Sequence, residues 1–281
     1  MKSLTSRLAS RLRYRVLMEL DLELIQKHLS GKTVGRDVRL LDSVPSTNAA
    51  LRALAQQGAP EGTVVIADEQ SAGQGRLRKR WFSPPGVNVY ASVLLRPSLP
   101  PRDVPGYSFI SSLALTDAIQ AEGLAPAIKW PNDVLVERRK VAGSLVECAT
   151  SDRHVDWVIL GVGVNVNVTR GALQAALGKA SHAAGSLAEA ARREIDRNAF
   201  AAAFLNLVDE WTQIYALQGA APVVEAWRDR DILTGRRVEV RGEGTVYEGR
   251  VLGVDREGYL VVRDARGERR RVLDGEIRLS D

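Results

Sequence analysis

The chain has 281 residues, 45% of them apolar and 26% charged, with a formal net charge of +5. That length accommodates two domains and a sizeable core, and no apolar run reaches the ~18 residues of a membrane-crossing helix. The lone Cys148 excludes an internal disulfide framework and points to a reducing compartment, the cytoplasm; with three scattered histidines it also excludes a soft-metal cluster, leaving only a hard ion held by oxygen.

Residues 1–36 carry eight basic and three acidic side chains, so this stretch alone equals the net charge of the chain. The basic balance is therefore weak evidence for nucleic-acid binding by the main body. Leu4, Leu8, Leu12, Val16 and Leu20 recur every four residues beside Arg7, Arg11 and Arg15, which predicts a basic amphipathic helix. Its lack of acids before Glu19 is shared by organellar transit peptides and by helices that pack on their own protein. The second reading is preferred.

"VRLLDSVPSTN" (38–48) reads as a strand, a turn at Pro45, and Ser46 or Thr47 capping a helix that stops near Gly58 and Pro60. "TVVIADEQ" (63–70) is a buried strand that emerges into a basic loop, "GQGRLRKRW" (73–81). "VNVYASVLLRP" (87–97) alternates like a strand, and "GYSFISSLALTDAIQAEG" is a helix ended by Gly123. "AIKWPNDVLVERRKVAGSLVECAT" reads as three strands joined by tight turns, and "DWVILGVGVNVN" (156–167) as another apolar β run. Residues 183–230 read as helical, with a stop at Gly219. From Gly235 the character changes to short alternating strands between Gly-containing turns, so a boundary is expected near 231–234 and a small β-barrel beyond it.

Three stretches carry chemistry. In the basic loop, Gly73 and Gly75 permit close backbone approach, while Arg76, Arg78, Lys79 and Arg80 surround an anion and Trp81 offers a stacking face. Taken alone, this loop fits a solvated turn as well as an anion clamp. It matches neither the dinucleotide nor the phosphate-loop glycine spacing. In "KWPNDVLVERRK", a hairpin would gather Lys129, Asp133 and Lys140; a carboxylate among cations suits Mg²⁺ beside a triphosphate, and a lysine there offsets charge on a transferring group. In "GVGVNVN", Gly161 and Gly163 share one strand face with Asn165, leaving room for a ligand or for close sheet packing. Cys148 reads as a core residue, and His154 has no identifiable acid or nucleophile partner.

These stretches, in this order, resemble the biotin protein ligases over roughly residues 38–281. The resemblance includes "STN" (46–48), "EQSAGQGRLRKRW" (69–81), "KWPNDVLVERRKVAGSLVE" (129–147), "GVGVNVN" (161–167), "EAWRDRDILTG" (225–235) and "GEIRL". It implies an α+β catalytic fold of the class II aminoacyl-tRNA synthetase-like type, a mixed sheet flanked by helices, followed by a small SH3-like β-barrel. Residues 1–37 would be a basic helical segment, 38–231 the catalytic domain and 232–281 the barrel. The implied reaction is the activation of biotin by Mg·ATP to biotinyl-5′-AMP, then transfer to one lysine of a biotin carboxyl carrier protein.

The resemblance also implies roles. Ser46, Thr47, Asn48 and Gln70 would address the biotin head, Gly143, Gly161 and Gly163 would make room for its rings, and Gly73 and Gln74 would complete the biotin site. Arg76 and Lys140 would hold the carboxylate and α-phosphate and are the catalytic pair. Arg78, Lys79, Trp81, Asn132 and Asn165 would join them in binding ATP and the adenylate, with Trp81 on adenine, and Asp133 would serve Mg²⁺ through the phosphates. The family loop usually reads Gly-Arg-Gly-Arg-x-Gly-Arg-x-Trp. Here Gln74 replaces an arginine, Arg78 a glycine and Lys79 an arginine, so closure of this loop is expected to differ in detail. The 45 residues before Ser46 are too few for the winged helix of regulatory relatives, so no specific DNA binding is expected, and the chain is expected to act as a monomer or homodimer. The competing readings are a lipoate or octanoate ligase of the same fold and a non-enzymatic nucleic-acid-binding protein.

Overall fold

The computed structural model describes residues 19–242 and 245–280, so the expected basic helix over 4–20 lies almost wholly outside the described residues. The body begins with α1 (Leu22–His28), β1 (Asp37–Val44), α2 (Thr47–Gln56), β2 (Thr63–Gln70), β3 (Val89–Leu95) and α3 (Gly106–Ala121). It continues through β4 (Pro126–Lys129), β5 (Asp133–Val136), β6 (Arg139–Ser151) and β7 (His154–Val164). Four helices follow: α4 (Arg170–Leu177), α5 (Leu187–Ala191), α6 (Arg197–Gln218) and α7 (Ala220–Arg228). The chain ends in β8 (Arg237–Gly242), β9 (Thr245–Val254), β10 (Leu260–Asp264), β11 (Arg269–Val272) and β12 (Glu276–Leu279).

The first seven strands form one sheet in the order β1-β2-β3-β7-β6-β5-β4, parallel only between β1 and β2. Its central strands read as continuous apolar runs because helices cover both faces. In β2, Val64 and Ile66 enter the main core, whereas Val65 faces a smaller one under α2 with Leu51, Leu94 and Ile159. The main core is closed by α3, whose Tyr107, Phe109, Leu113 and Ile119 are buried between the sheet and helices α6 and α7. A helix apolar on all sides is what such a position requires.

The last five strands make an antiparallel sheet in the order β11-β10-β9-β8-β12. It is fastened to the body by backbone as well as side chains. Ile128 of β4 donates to Arg230 O at 2.8 Å and accepts from Ile232 N at 3.0 Å. Trp130 Nε1 donates to Gly258 O at 3.1 Å, and Arg228 Nε to Val254 O at 3.1 Å. These ties carry the β11–β12 turn to the edge of the first sheet, where the sequence showed no reason to place it.

Two expectations need correction. The stretch 183–230 is not one helical run: Ser186 and Asp196 cap new helices by accepting from Glu189 N and from Asn198 N and Ala199 N, and side-chain caps of this kind end the preceding segment. The expected stop at Gly219 holds: at φ 75° it ends α6, and α7 begins at the next residue. Cys148 is exposed on β6 rather than in the core.

Candidate active site

One cavity of about 710 Å³ opens where the basic loop, the β4–β5–β6 hairpins, the glycine strand β7 and the β11–β12 turn converge. Its floor is set by missing side chains. Gly143 of β6 pairs with Gly163 of β7, and Gly161 lies two residues away on the same face. A Cβ at Gly161 would overlap Asn48 Oδ1, and one at Gly163 would overlap the Trp81 indole. Glycine is therefore a steric requirement here, since Asn48 and Trp81 occupy the room it leaves.

At one end of the floor stands the start of α2, with Ser46 as its N-cap. Gln70 Oε1 accepts from Thr47 N at 2.9 Å and Thr47 Oγ1 at 3.2 Å, and Gln70 Nε2 donates to Ser83 Oγ at 3.1 Å. Ser92 Oγ lies 2.6 Å from Asn48 Oδ1 and 2.8 Å from Thr47 Oγ1, while Asn48 Nδ2 donates to Glu147 Oε1 at 2.9 Å. This network fixes donors and acceptors in a buried setting, where satisfied polar groups impose orientation. Ser92 was not singled out in the sequence; its place inside an apolar strand was the only signal.

At the other end the charges gather. Lys129 and Asp133 face each other across β4 and β5, and Lys140 Nζ sits 2.5 Å from Asp133 Oδ1 and 5.1 Å from the centre of the Trp81 ring. Burial holds the Lys129 ammonium below its usual range, opposed by Asp133 and Glu276. Burial likewise lowers Arg76, again opposed by Asp133. Asn132 Nδ2 donates to Ser144 O, and Asn165 Nδ2 to Gly185 O at 3.0 Å, so both amides tie the walls together.

The basic loop is a closed lobe. Gly75 N donates to Lys79 O at 2.7 Å and Trp81 N to Gly73 O at 2.9 Å, while Leu77 and Arg78 turn the tip at φ 54° and 56°. The Arg78 position, where the family pattern has glycine, thus adopts a left-handed conformation that glycine takes without strain. The lobe is pinned from the far end of the chain: Arg76 pairs with Asp274, and Lys79 Nζ lies 3.6 Å from Glu276 Oε1. The Arg76 guanidinium also stands 5.9 Å from the Trp130 ring centre.

Of the residues expected at the site, all but two line this cavity. Gly73 is buried at the base of the loop, with Ser83 and Gln70 against it. Arg78 is exposed and is the one residue between Gln74 and Phe82 that does not line the cavity. Lys129 lines it as well, beside Asp133 and Lys140 as the hairpin reading expected, and the structure adds Arg138 and the segment from Gly275 to Leu279, none of which had been assigned a site role. Eight cationic side chains and two carboxylates line the space, so it favours anions. Trp81 Nε1 is buried there without a hydrogen-bond partner.

The α+β body, its antiparallel tail and a cation-lined cavity with polar positioning groups at one end define an enzyme that works on a small anion by orientation and charge. The sequence comparisons make this specific. The chain matches the Biotin/lipoate A/B protein ligase family over residues 40–165 and the Biotin protein ligase C terminal domain over 233–280. It is 34% identical over 236 residues to a biotin–[acetyl-CoA-carboxylase] ligase of Paracoccus denitrificans, covering 81% of this chain and 95% of that one. A ligase of the same name from Mycobacterium tuberculosis is 32% identical over 240 residues, covering 83% and 85%. The biotin protein ligase of Aquifex aeolicus, solved with biotin and ATP, shares the fold at a TM-score of 0.73 and 24% identity, covering 87% of this chain and all of that one. The chain belongs to the biotin protein ligase family.

Proposed function

We propose that this protein activates biotin with Mg·ATP and transfers it to a lysine of a biotin carboxyl carrier protein. In the first step a biotin carboxylate oxygen attacks the α-phosphorus, the bond to pyrophosphate breaks, and biotinyl-5′-AMP forms. In the second, a neutral lysine ε-amine attacks the acyl carbon; an amide forms, AMP leaves with the bonding electron pair, and the amine proton passes to solvent. Both steps build negative charge between reacting atoms, which fixed cations stabilise without reorganising.

The observation that carries this reading is the placement of Lys140 Nζ, held 2.5 Å from Asp133 beside Trp81 and above the glycine floor. Lys140 and Arg76 would hold the biotin carboxylate and the α-phosphate. The network of Thr47, Asn48 and Gln70 beside Ser46 would orient the ring head over a floor to which Gly161 and Gly163 admit Asn48 and Trp81 and Gly143 admits Lys140, with Gln74 at the rim and Gly73 supporting Gln70 from behind. Trp81 would stack on adenine, with Lys79, Asn132 and Asn165 around the nucleotide. Among the described residues no group of three potential ligands could hold a metal ion, so Mg²⁺ would enter with ATP, with Asp133 as its protein carboxylate. No described helix is long and apolar enough to cross a membrane. We place the reaction in the cytoplasm, the reducing compartment to which the lone Cys148 points.

The test is pyrophosphate release from ATP with biotin, lipoate or octanoate, followed by transfer of label to a carrier domain. Biotin alone is expected to support both. Release that ignores biotin overturns the reading, and release with lipoate would redirect it.

A further inference from the structure

The cavity's carboxylates are already engaged. Asp133 pairs with Lys140 and Glu276 with Lys79, while beside the cavity Asp274 pairs with Arg76 and Glu137 with Arg139. Three exposed cations at the mouth are left over: among the described residues, Arg78, Arg80 and Arg138 make no ion pair. Arg80 and Arg138 line the opening from two different walls, and Arg78 lies between Leu77 and Lys79, which line it too. Leu77 is 58% exposed at the same tip. The left-handed turn at Leu77 and Arg78, and the type of turn at Glu137 and Arg138 (φ 50° and 65°), give these side chains to solvent rather than to the cavity floor or the core.

We propose that Arg78, Arg80 and Arg138, with Leu77, form the docking rim for an acidic protein face that flanks the acceptor lysine. This rests on the ligase reading. The rim surrounds the route by which a protein lysine must reach the acyl-adenylate, and its surplus of one sign calls for carboxylates on the partner. Charges placed outside the reacting centre steer encounter and set register more than they alter chemistry. Arg78 then has a use in the position where the family pattern has glycine: it gives up backbone freedom and presents a cation to the partner.

The test separates encounter from chemistry. Biotin-dependent ATP–pyrophosphate exchange reads activation, and transfer from preformed biotinyl-5′-AMP to the carrier domain of an acetyl-CoA carboxylase reads docking. Arg78→Glu is expected to raise KM for the carrier at least tenfold more than it lowers exchange, with kcat at saturation little changed. The fall of kcat/KM with rising salt should become shallower. Arg78→Lys should behave like the parent, and Arg138→Glu should add to the effect of Arg78→Glu. An unchanged carrier KM in Arg78→Glu overturns the proposal, as does an Arg78→Lys variant as impaired as Arg78→Glu, which would make the loop backbone responsible. A parallel loss of exchange would return Arg78 to the nucleotide site and also overturn it. Absence of biotin-dependent exchange in the parent enzyme would instead defeat the ligase reading.

Discussion

At the scale of single residues, two kinds of position control this site: those that supply charge and those that supply absence. Lys140 is the first kind. Its ammonium contacts Asp133 and faces Trp81, and alanine would leave the carboxylate without its cation beside the reacting phosphate. Loss of one such stabilising group typically costs roughly 100-fold or more in turnover. We expect Lys140→Ala to lose biotin-dependent pyrophosphate exchange on that scale while near-ultraviolet circular dichroism and melting temperature stay close to the parent. Gly161 is the second kind. In a strand interior alanine is ordinarily preferred to glycine by roughly 0.5–1 kcal/mol, so a backbone argument alone expects Gly161→Ala to stabilise. The added Cβ instead meets Asn48 Oδ1 and displaces an amide bonded to Ser92 and Glu147. A disturbed polar pair of this kind is worth about 1–3 kcal/mol, so KM for biotin should rise about tenfold or more, with ATP binding far less affected. Normal biotin affinity in the alanine variant would show that Asn48 can yield its place freely.

At the scale of elements, the basic loop is held by two carboxylates almost two hundred positions later in the chain, Asp274 in the β11–β12 turn and Glu276 at the start of β12. Exposed pairs such as Lys79–Glu276 contribute little to global stability, so their effect belongs to the loop and not to the fold. Asp274→Ala should therefore leave the melting temperature almost unchanged while trypsin cuts faster after Arg76, Arg78, Lys79 or Arg80. Equal cleavage rates in parent and variant would mean that the lobe is closed by its own backbone bonds alone. This contact also marks where sequence reasoning ends. β2, the three hairpin strands from Pro126 to Ser151 and the glycine run were legible because their signals are local: alternation, Pro131, paired glycines. The family resemblance then brought Ser46, Gln70 and Lys140 to one site. Nothing local pairs Arg76 with Asp274, and "EIRL" is too short and too charged for its alternation to announce β12. Exposure of Cys148 was equally hidden, because β6 runs on past the end of β5 and only the tertiary arrangement leaves its outer residues uncovered.

At the scale of the whole molecule, the question is whether the tail is a separate unit that leans on the body or part of one cooperative structure. Chains of this length often unfold domain by domain. Here one apolar core runs without interruption from Ile25 in α1 to Ile277 in β12. The junction is built around Phe109 and Trp227, whose rings stack at 4.7 Å with planes 21° apart, and Gly258 of the tail packs on Phe109, where a Cβ would come within 3.2 Å of the ring. Side chains from body and tail are thus buried by one another, and neither keeps its full core alone. We expect calorimetry to show a single transition across which adenylation activity and tryptophan fluorescence change together. Phe109→Ala should test the junction directly. Removing a buried phenylalanine costs about 3–5 kcal/mol, which for a chain of this size lowers the melting temperature by roughly 10 °C. If the tail were an independent unit, the same variant would split the transition in two. Because β12 and Asp274 reach the cavity only through this junction, activity would then be lost at the lower of the two temperatures, before the seven-stranded sheet unfolds.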